Sequence, residues 1–360
     1  MDLGLRSPAA VPGGHALAAA PTADPAALWH RALLCDVDRG GAPTYVIGHR
    51  DPDADSAGSA MAYARLLDAL GIDARAVVSG PINGETRYAL ARFGIPAPEI
   101  LTDARGRQFV LVDHSSYDQA IDGMSEARIL GILDHHGIGD IHVSERIDVR
   151  SAPVGATASL VFLAYHDCGV AVGRDAARLL LMGLLSDTRG MARNVSELDR
   201  AAFAALRAPA ELDDPEDLYR GMAEAAASYG DMSDLAIFRS DFKTYTAGGT
   251  RFGIADVNAC GGSAARQLAA RMAAVMESSF PELGLDMLYT IVNIKGVAPG
   301  EPGMFMLCAG DGALDALEAA FPCFDGERLF VFENELSRKA TIVPALTRVL
   351  ERQAAPVQRP

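Results

Sequence analysis

Three short apolar segments, far apart along the chain, each run directly into a cluster of aspartate and histidine, with helical stretches between them. Tyr45–Gly48 leads into His49-Arg50-Asp51-Pro52-Asp53-Ala54-Asp55-Ser56, Phe109–Val112 into Asp113-His114-Ser115, and Ile129–Leu133 into Asp134-His135-His136-Gly137. Helical patterns follow over 57–70 (closed by Gly71 as a C′ glycine), 85–93, 156–166 and 175–186, the last ending at Asp187, with a further strand at 74–78. Strand and helix in alternation argue for an α/β chain with an N-terminal doubly wound parallel sheet. In such a sheet the carboxyl ends of the strands share one edge, where ligands bind. Clusters distant in sequence are therefore expected to meet in space.

The rest of the chain divides around this block. Residues 1–42 are rich in Pro, Ala and Gly, with one short helix near 26–34, and read as a flexible leader outside the fold. Residues 43–230 form the metal-binding domain and 231–246 a linker, with a hinge near 238–246. Strands near 251–257, 287–293, 304–309 and 329–333, with helices near 264–278, 312–320 and 347–352, make 247–354 a smaller α/β domain with a mixed sheet.

Composition narrows the function classes. The 360 residues carry 47 acidic and 32 basic side chains, a net charge of −15, which excludes a broad basic face for nucleic acid or anionic lipid. No apolar run reaches a bilayer-spanning length. The five cysteines contain no CxxC pair and read as reduced thiols, so a cytoplasmic location is expected. Lys243, Lys295 and Lys339 are the only lysines.

His49, Asp53 and Asp55 combine carboxylate oxygens with imidazole, a set suited to Mn²⁺, Mg²⁺ or Co²⁺. Taken singly, Asp and Pro there are also ordinary turn and capping residues. Asp113 adds a carboxylate able to bridge two cations. Asp134, His135 and His136 after an apolar strand are costly unless paired or metal-bound, and Asp187 at a helix C-terminus opposes the macrodipole, a placement that a nearby cation would explain and exposure to water would tolerate. Together these clusters indicate a dinuclear metal site.

Their order and wording resemble a known family. GHRDPDADS, VDHSS, ILDHHG and LLSDT are similar to the four signature motifs of the DHH phosphoesterases. Within them the likeness is to the family II, manganese-dependent inorganic pyrophosphatases with a DHHA2 C-terminal domain. Ile82–Leu90, Pro153–Ala158, Ser337-Arg338-Lys339 and Val343-Pro344 carry it further, over about residues 44–352.

The resemblance implies hydrolysis of pyrophosphate by a water activated between two Mn²⁺ (Co²⁺ or Mg²⁺ as substitutes), with a further Mg²⁺ arriving with the substrate. It implies that His49 and Asp53 hold the first metal, that Asp55, His135 and Asp187 hold the second, and that Asp113 bridges them. His136, Arg338 and Lys339 would contact substrate phosphate, while His114 and Asp134 would sit behind the ligands and hydrogen-bond them or metal-bound water. A homodimer through the N-terminal domain is implied too. Four aspartates cancel the charge of two divalent cations, so extra cations are needed for a diphosphate, and Arg338-Lys339 is their expected source. Three positions depart from the family's pattern: Asp51 and Ser115 stand where Asn is usual, and Glu224 where a substrate-binding Lys is expected, with Arg220 one turn earlier as a replacement cation. Two alternatives remain open: a related phosphoesterase acting on short polyphosphate or a nucleotide phosphoester, and a non-catalytic sensor of a phosphorylated ligand.

Overall fold

The computed structural model describes residues 31–32, 34–230, 232–295, 302–321 and 329–354. The helix expected near 26–34 falls largely outside the described residues. Strands β1 (Thr44–Ile47), β2 (Ala74–Val78), β3 (Glu99–Ile100), β4 (Gln108–Val112), β5 (Arg128–Asp134) and β6 (Asp148–Ser151) form one sheet in the order β3-β2-β1-β4-β5-β6. All five pairings are parallel. Every residue of β4 is buried, which is why it reads as a continuous apolar run rather than an alternating one. The order reverses between β1 and β4, so the crevice at the ends of these two strands is the topological switch point.

The helices are α1 (Ala54–Ala69), α2 (Gly84–Phe93), α3 (Thr157–Asp167), α4 (Arg174–Asp187), α5 (Glu197–Ala210), α6 (Pro215–Ala226), α7 (Asp234–Ser240), α8 (Gly262–Leu283), α9 (Ala313–Ala320) and α10 (Val343–Ala354). Helix α1 begins earlier than expected because Asp53 caps it, accepting the Ser56 N–H at 2.9 Å. It is buried along most of its length, and small residues let α4 cross it closely. A Cβ on Gly58 would lie 2.6 Å from the Leu179 carbonyl oxygen, and one on Gly183 would lie 2.9 Å from the Asp55 Cα.

A second sheet holds β7 (Phe242–Ala247), β8 (Thr250–Cys260), β9 (Met287–Lys295), β10 (Met304–Ala309) and β11 (Leu329–Phe332) in the order β11-β10-β9-β8-β7. Its β8–β9 pair is parallel and the others are antiparallel, giving the expected mixed sheet. Two expectations are corrected here. Residues 231–246 are no plain linker, for α7 and β7 occupy most of the span and β7 pairs with β8 along its length. Nor is the end of the 1–42 segment outside the fold. Leu34 is buried in the first core, and the Gln108 side chain donates to the carbonyls of Arg39 and Ala42 at 3.1 and 2.7 Å. Among the described residues no helix is long and apolar enough to cross a membrane.

Helix α5 was not anticipated, and it holds the polar hub of the first half. Asp199 is fully buried. Its carboxylate accepts the Ser196 N–H in a capping box and the Gly155 N–H, both at 2.7 Å, and the Ser159 hydroxyl at 2.6 Å. It thereby fixes the turn that feeds α3. Asp199→Ala strands these donors in the interior and is expected to cost about 2–4 kcal/mol of stability; denaturant unfolding measures it, and a loss under 1 kcal/mol would contradict the hub role.

Candidate metal centre

The three strand ends meet as the topology requires. Asp113, just past β4, is buried and adopts φ 63°, the left-handed region that few non-glycine residues enter. One carboxylate oxygen lies 3.3 Å from His49 Nε2 and the other 3.3 Å from His135 Nε2, so Asp113 stands between the two imidazoles. His49 Nε2 is also 3.3 Å from Asp53 Oδ2, and His135 Nε2 is 3.5 Å from Asp187 Oδ2 at the end of α4.

The backbone aims both rings. His49 Nδ1 pairs with the Arg50 carbonyl at 2.8 Å and His135 Nδ1 with the Val154 carbonyl at 3.1 Å, leaving each Nε2 toward the carboxylates. Asp55 is fully buried. It accepts the Thr157 and Ala158 N–H groups of α3 at 2.6 and 2.9 Å and the Ser59 hydroxyl at 3.1 Å. A helix N-terminus suits this anion. Among the described residues, three combinations bring ligand atoms within 4.8 Å of one another: His49, Asp53 and Asp113; Asp55, His135 and Asp187; and Asp113, His135 and His136.

Electrostatics shows what such a cluster lacks. Burial, and then the Asp113 charge, push Asp55 up to about 8. Asp187 is raised well above the carboxylate range by burial and then by Asp55 and Asp53. Burial pulls the His135 imidazolium down, but the carboxylates of Asp113, Asp55 and Asp187 outweigh it and carry it to about 11. Packing of like charge this tight favours the protonated carboxylate, and a divalent cation offsets it without a proton. The buried His135 Nε2 makes no hydrogen bond despite two carboxylate oxygens within 3.5 Å. Donor atoms that crowd one another without bonding converge on a shared point, the arrangement a cation fits.

The remaining site residues divide. His136 is half-exposed, and its Nδ1 lies 3.0 Å from Asp134 Oδ1. Asp134 also accepts the Ser115 hydroxyl at 2.8 Å, and that hydroxyl in turn accepts the Gly139 N–H at 2.9 Å. Ser115 thus serves as a polar brace beside Asp113 and His114. His114 is buried behind the cluster: its Nδ1 meets the Val112 carbonyl at 3.0 Å, and burial lowers it to about 4. Asp51 sits at φ 63°, a conformation Asp and Asn both tolerate, and its charge faces Lys243 of β7 at 3.5 Å.

In the second half Arg338, at the start of a short π-helical turn, clasps Asp241 through the carbonyl at 2.9 Å and the carboxylate at 2.7 Å. Lys339 is exposed. Glu224 is exposed on α6, and Arg220 points to Asp217, so neither brings a cation to the centre. Thr157, Asp199, Arg189, Lys295 and Glu335 had no role in the sequence reading. Thr157 donates to Asp113 at 3.0 Å, and the Pro153–Ala158 stretch was the only signal for it.

Comparison with known proteins agrees with this geometry. Residues 43–184 match the DHH family, N-terminal domain, and residues 220–349 match the DHHA2 domain, so the first half is that of a DHH protein. The chain belongs to the family of manganese-dependent inorganic pyrophosphatases. It is 31% identical over 306 residues to the manganese-dependent inorganic pyrophosphatase of Methanothrix thermoacetophila, covering 84% of this chain and 96% of that protein. It is 32% identical over 312 residues to a probable enzyme of the same name from an Exiguobacterium species, covering 84% and 97%. A solved Methanococcus jannaschii structure assigned to the family II inorganic pyrophosphatases superposes with a TM-score of 0.69 at 27% identity, covering 85% of this chain and 99% of that one.

Proposed function

We propose that this chain hydrolyses inorganic pyrophosphate to phosphate with two manganese ions seated at the β1, β4 and β5 ends. His49 and Asp53 would hold the first ion, Asp55, His135 and Asp187 the second, and Asp113 would serve both. The observation that supports this most is the placement of Asp113 at 3.3 Å from both His49 and His135, with the buried His135 Nε2 left without a hydrogen bond. Bound there, the cations supply the Lewis acidity that activates water and offsets phosphate charge.

The chain's own groups do the rest. Asp134 orients His136 through Nδ1, which leaves Nε2 of the half-exposed ring for a phosphate oxygen. Residues 43–230 carry the metal site, and 247–354 bring Arg338 and Lys339 as substrate cations. Arg338 exchanges Asp241 for phosphate as substrate enters, and its guanidinium is suited to bidentate contact. The exposed contact of Lys243 with Asp51 across the halves breaks at little cost.

Phosphate release from pyrophosphate, tripolyphosphate and a simple phosphoester, each with Mn²⁺, tests the reading. Pyrophosphate is expected to be cleaved fastest; a clear preference for either other substrate would replace it. Chelation is expected to abolish turnover and Mn²⁺ or Co²⁺ to restore it. Full activity in a metal-free preparation would sink the metal mechanism.

A further inference from the structure

Charge balance leaves the centre in need of cations beyond its metals, because four aspartates already match two divalent ions. Arg338 is engaged by Asp241. At the junction of the two halves, however, two cations converge on one carboxylate. Glu335, in the stretch after β11, pairs with Arg189 from the turn after α4, and its two oxygens lie 3.4 and 3.5 Å from Lys295 Nζ. The Arg189 and Lys295 side chains are only 18% and 22% exposed, so this is no solvated surface pair.

Lys295 ends β9, opposite Cys260 at the end of β8. Its ammonium also feels the charges of Glu85, Asp256 and Asp187, the last a member of the metal set. Burial, and then the neighbouring Arg189, pull it below the usual ammonium range, a condition an arriving polyanion relieves. The turn that presents Arg189 is unusual as well. Arg189, Met191 and Asn194 all hold positive φ, at 52°, 68° and 53°. Non-glycine residues in that region store strain of the kind found at ligand clamps. Glu224, the carboxylate on α6, lies close enough to act electrostatically on Cys260, the register neighbour of Lys295. Lys295 thus brings a positive charge to the side of the junction where Glu224 brings a negative one.

We propose that Lys295, with Arg189 beside it, forms a phosphate seat at the junction of the two halves, and that Glu335 holds the pair until the substrate phosphoryl group displaces it. The proposal rests on the pyrophosphatase reading for its substrate and on this cluster for its residues. Neither Lys295 nor Arg189 lies in the four strand-end and helix-end motifs, and neither was expected to touch substrate.

The test pairs calorimetric binding of imidodiphosphate to the manganese-loaded protein with steady-state pyrophosphate hydrolysis, for the parent, Lys295→Met, Lys295→Arg and Glu335→Gln. Lys295→Met is expected to weaken analogue binding at least tenfold and to raise KM by a similar factor, with a smaller change in kcat and unchanged manganese content. Lys295→Arg restores most of the affinity. Glu335→Gln tightens binding severalfold because a competing carboxylate is gone. Analogue binding by Lys295→Met within twofold of the parent overturns the seat, as does Glu335→Gln binding no tighter than the parent. The latter comparison decides alone if Lys295→Met does not fold. Should the parent fail to cleave pyrophosphate, the pyrophosphatase reading falls, and titration with orthophosphate then judges the seat. A tenfold weaker affinity in Lys295→Met keeps it, and no difference, or no binding by the parent, removes it.

Discussion

Asp113→Ala is expected to reduce pyrophosphate turnover by a factor on the order of 10³ or more, equivalent to about 4 kcal/mol of lost transition-state stabilisation. The same change should empty both cation positions rather than one. The reason is geometric: among the described residues, Asp113 is the one carboxylate within 3.3 Å of both His49 and His135. Its removal leaves each cation with an incomplete set of ligands and takes one negative charge from both. Elemental analysis of the purified variant reports the metal content. Two manganese ions per chain with activity within tenfold of the parent would show that Asp113 is not shared.

Gly183→Ala is expected to act nearly as strongly, and against ordinary helix propensity. In an exposed helix the change would stabilise by about 1 kcal/mol. Here the added methyl would lie 2.5 Å from Asp55 Oδ1 and 2.9 Å from the Asp55 Cα, and a backbone atom cannot swing aside as a side chain can. Overpacking of this kind costs about 1–3 kcal/mol. The displacement also moves Asp55 off the α3 amides that hold it, so manganese affinity should drop on the order of 10–100-fold, the scale seen when a ligand's support is removed. Thermal unfolding of the metal-free protein and manganese titration read the two effects separately. A variant as stable as the parent with unaltered affinity would mean that α1 and α4 can part without cost.

The strand ends were legible because their signal is local: an apolar run followed at once by Asp and His needs only a few residues to be seen. The sheet order then brings His49, Asp113 and His135 together with no further information. Asp51 and Ser115, which look like departures in sequence, are explained once φ and hydrogen bonds are known. A left-handed backbone accepts Asp as well as Asn, and the Ser115 hydroxyl meets Asp134. What escaped was long-range or weakly patterned. Asp199 acts on Gly155 across 44 residues, and Arg189, Lys295 and Glu335 come from three separate parts of the chain. Helix α5 carries Pro209 within it, which blurs its ending. Strand β7 has mostly half-exposed or exposed residues in Phe-Lys-Thr-Tyr-Thr-Ala, so its hydrophobic pattern is faint, and only pairing with β8 defines it.

The division of the chain into an early and a late sheet also sets an order of assembly. All six residues assigned to the cations lie between His49 and Asp187, and the core around their sheet closes by Met222. The second sheet is not complete until Phe332, roughly 110 residues later. At ribosomal speeds of about 5–20 residues per second, the acidic edge is folded and open to solution for some 5–20 s before its cover has been made. During that interval nothing from the later half obstructs the edge, so the six residues face solution before the second sheet is complete. The later half folds beside an acidic edge that is already in place.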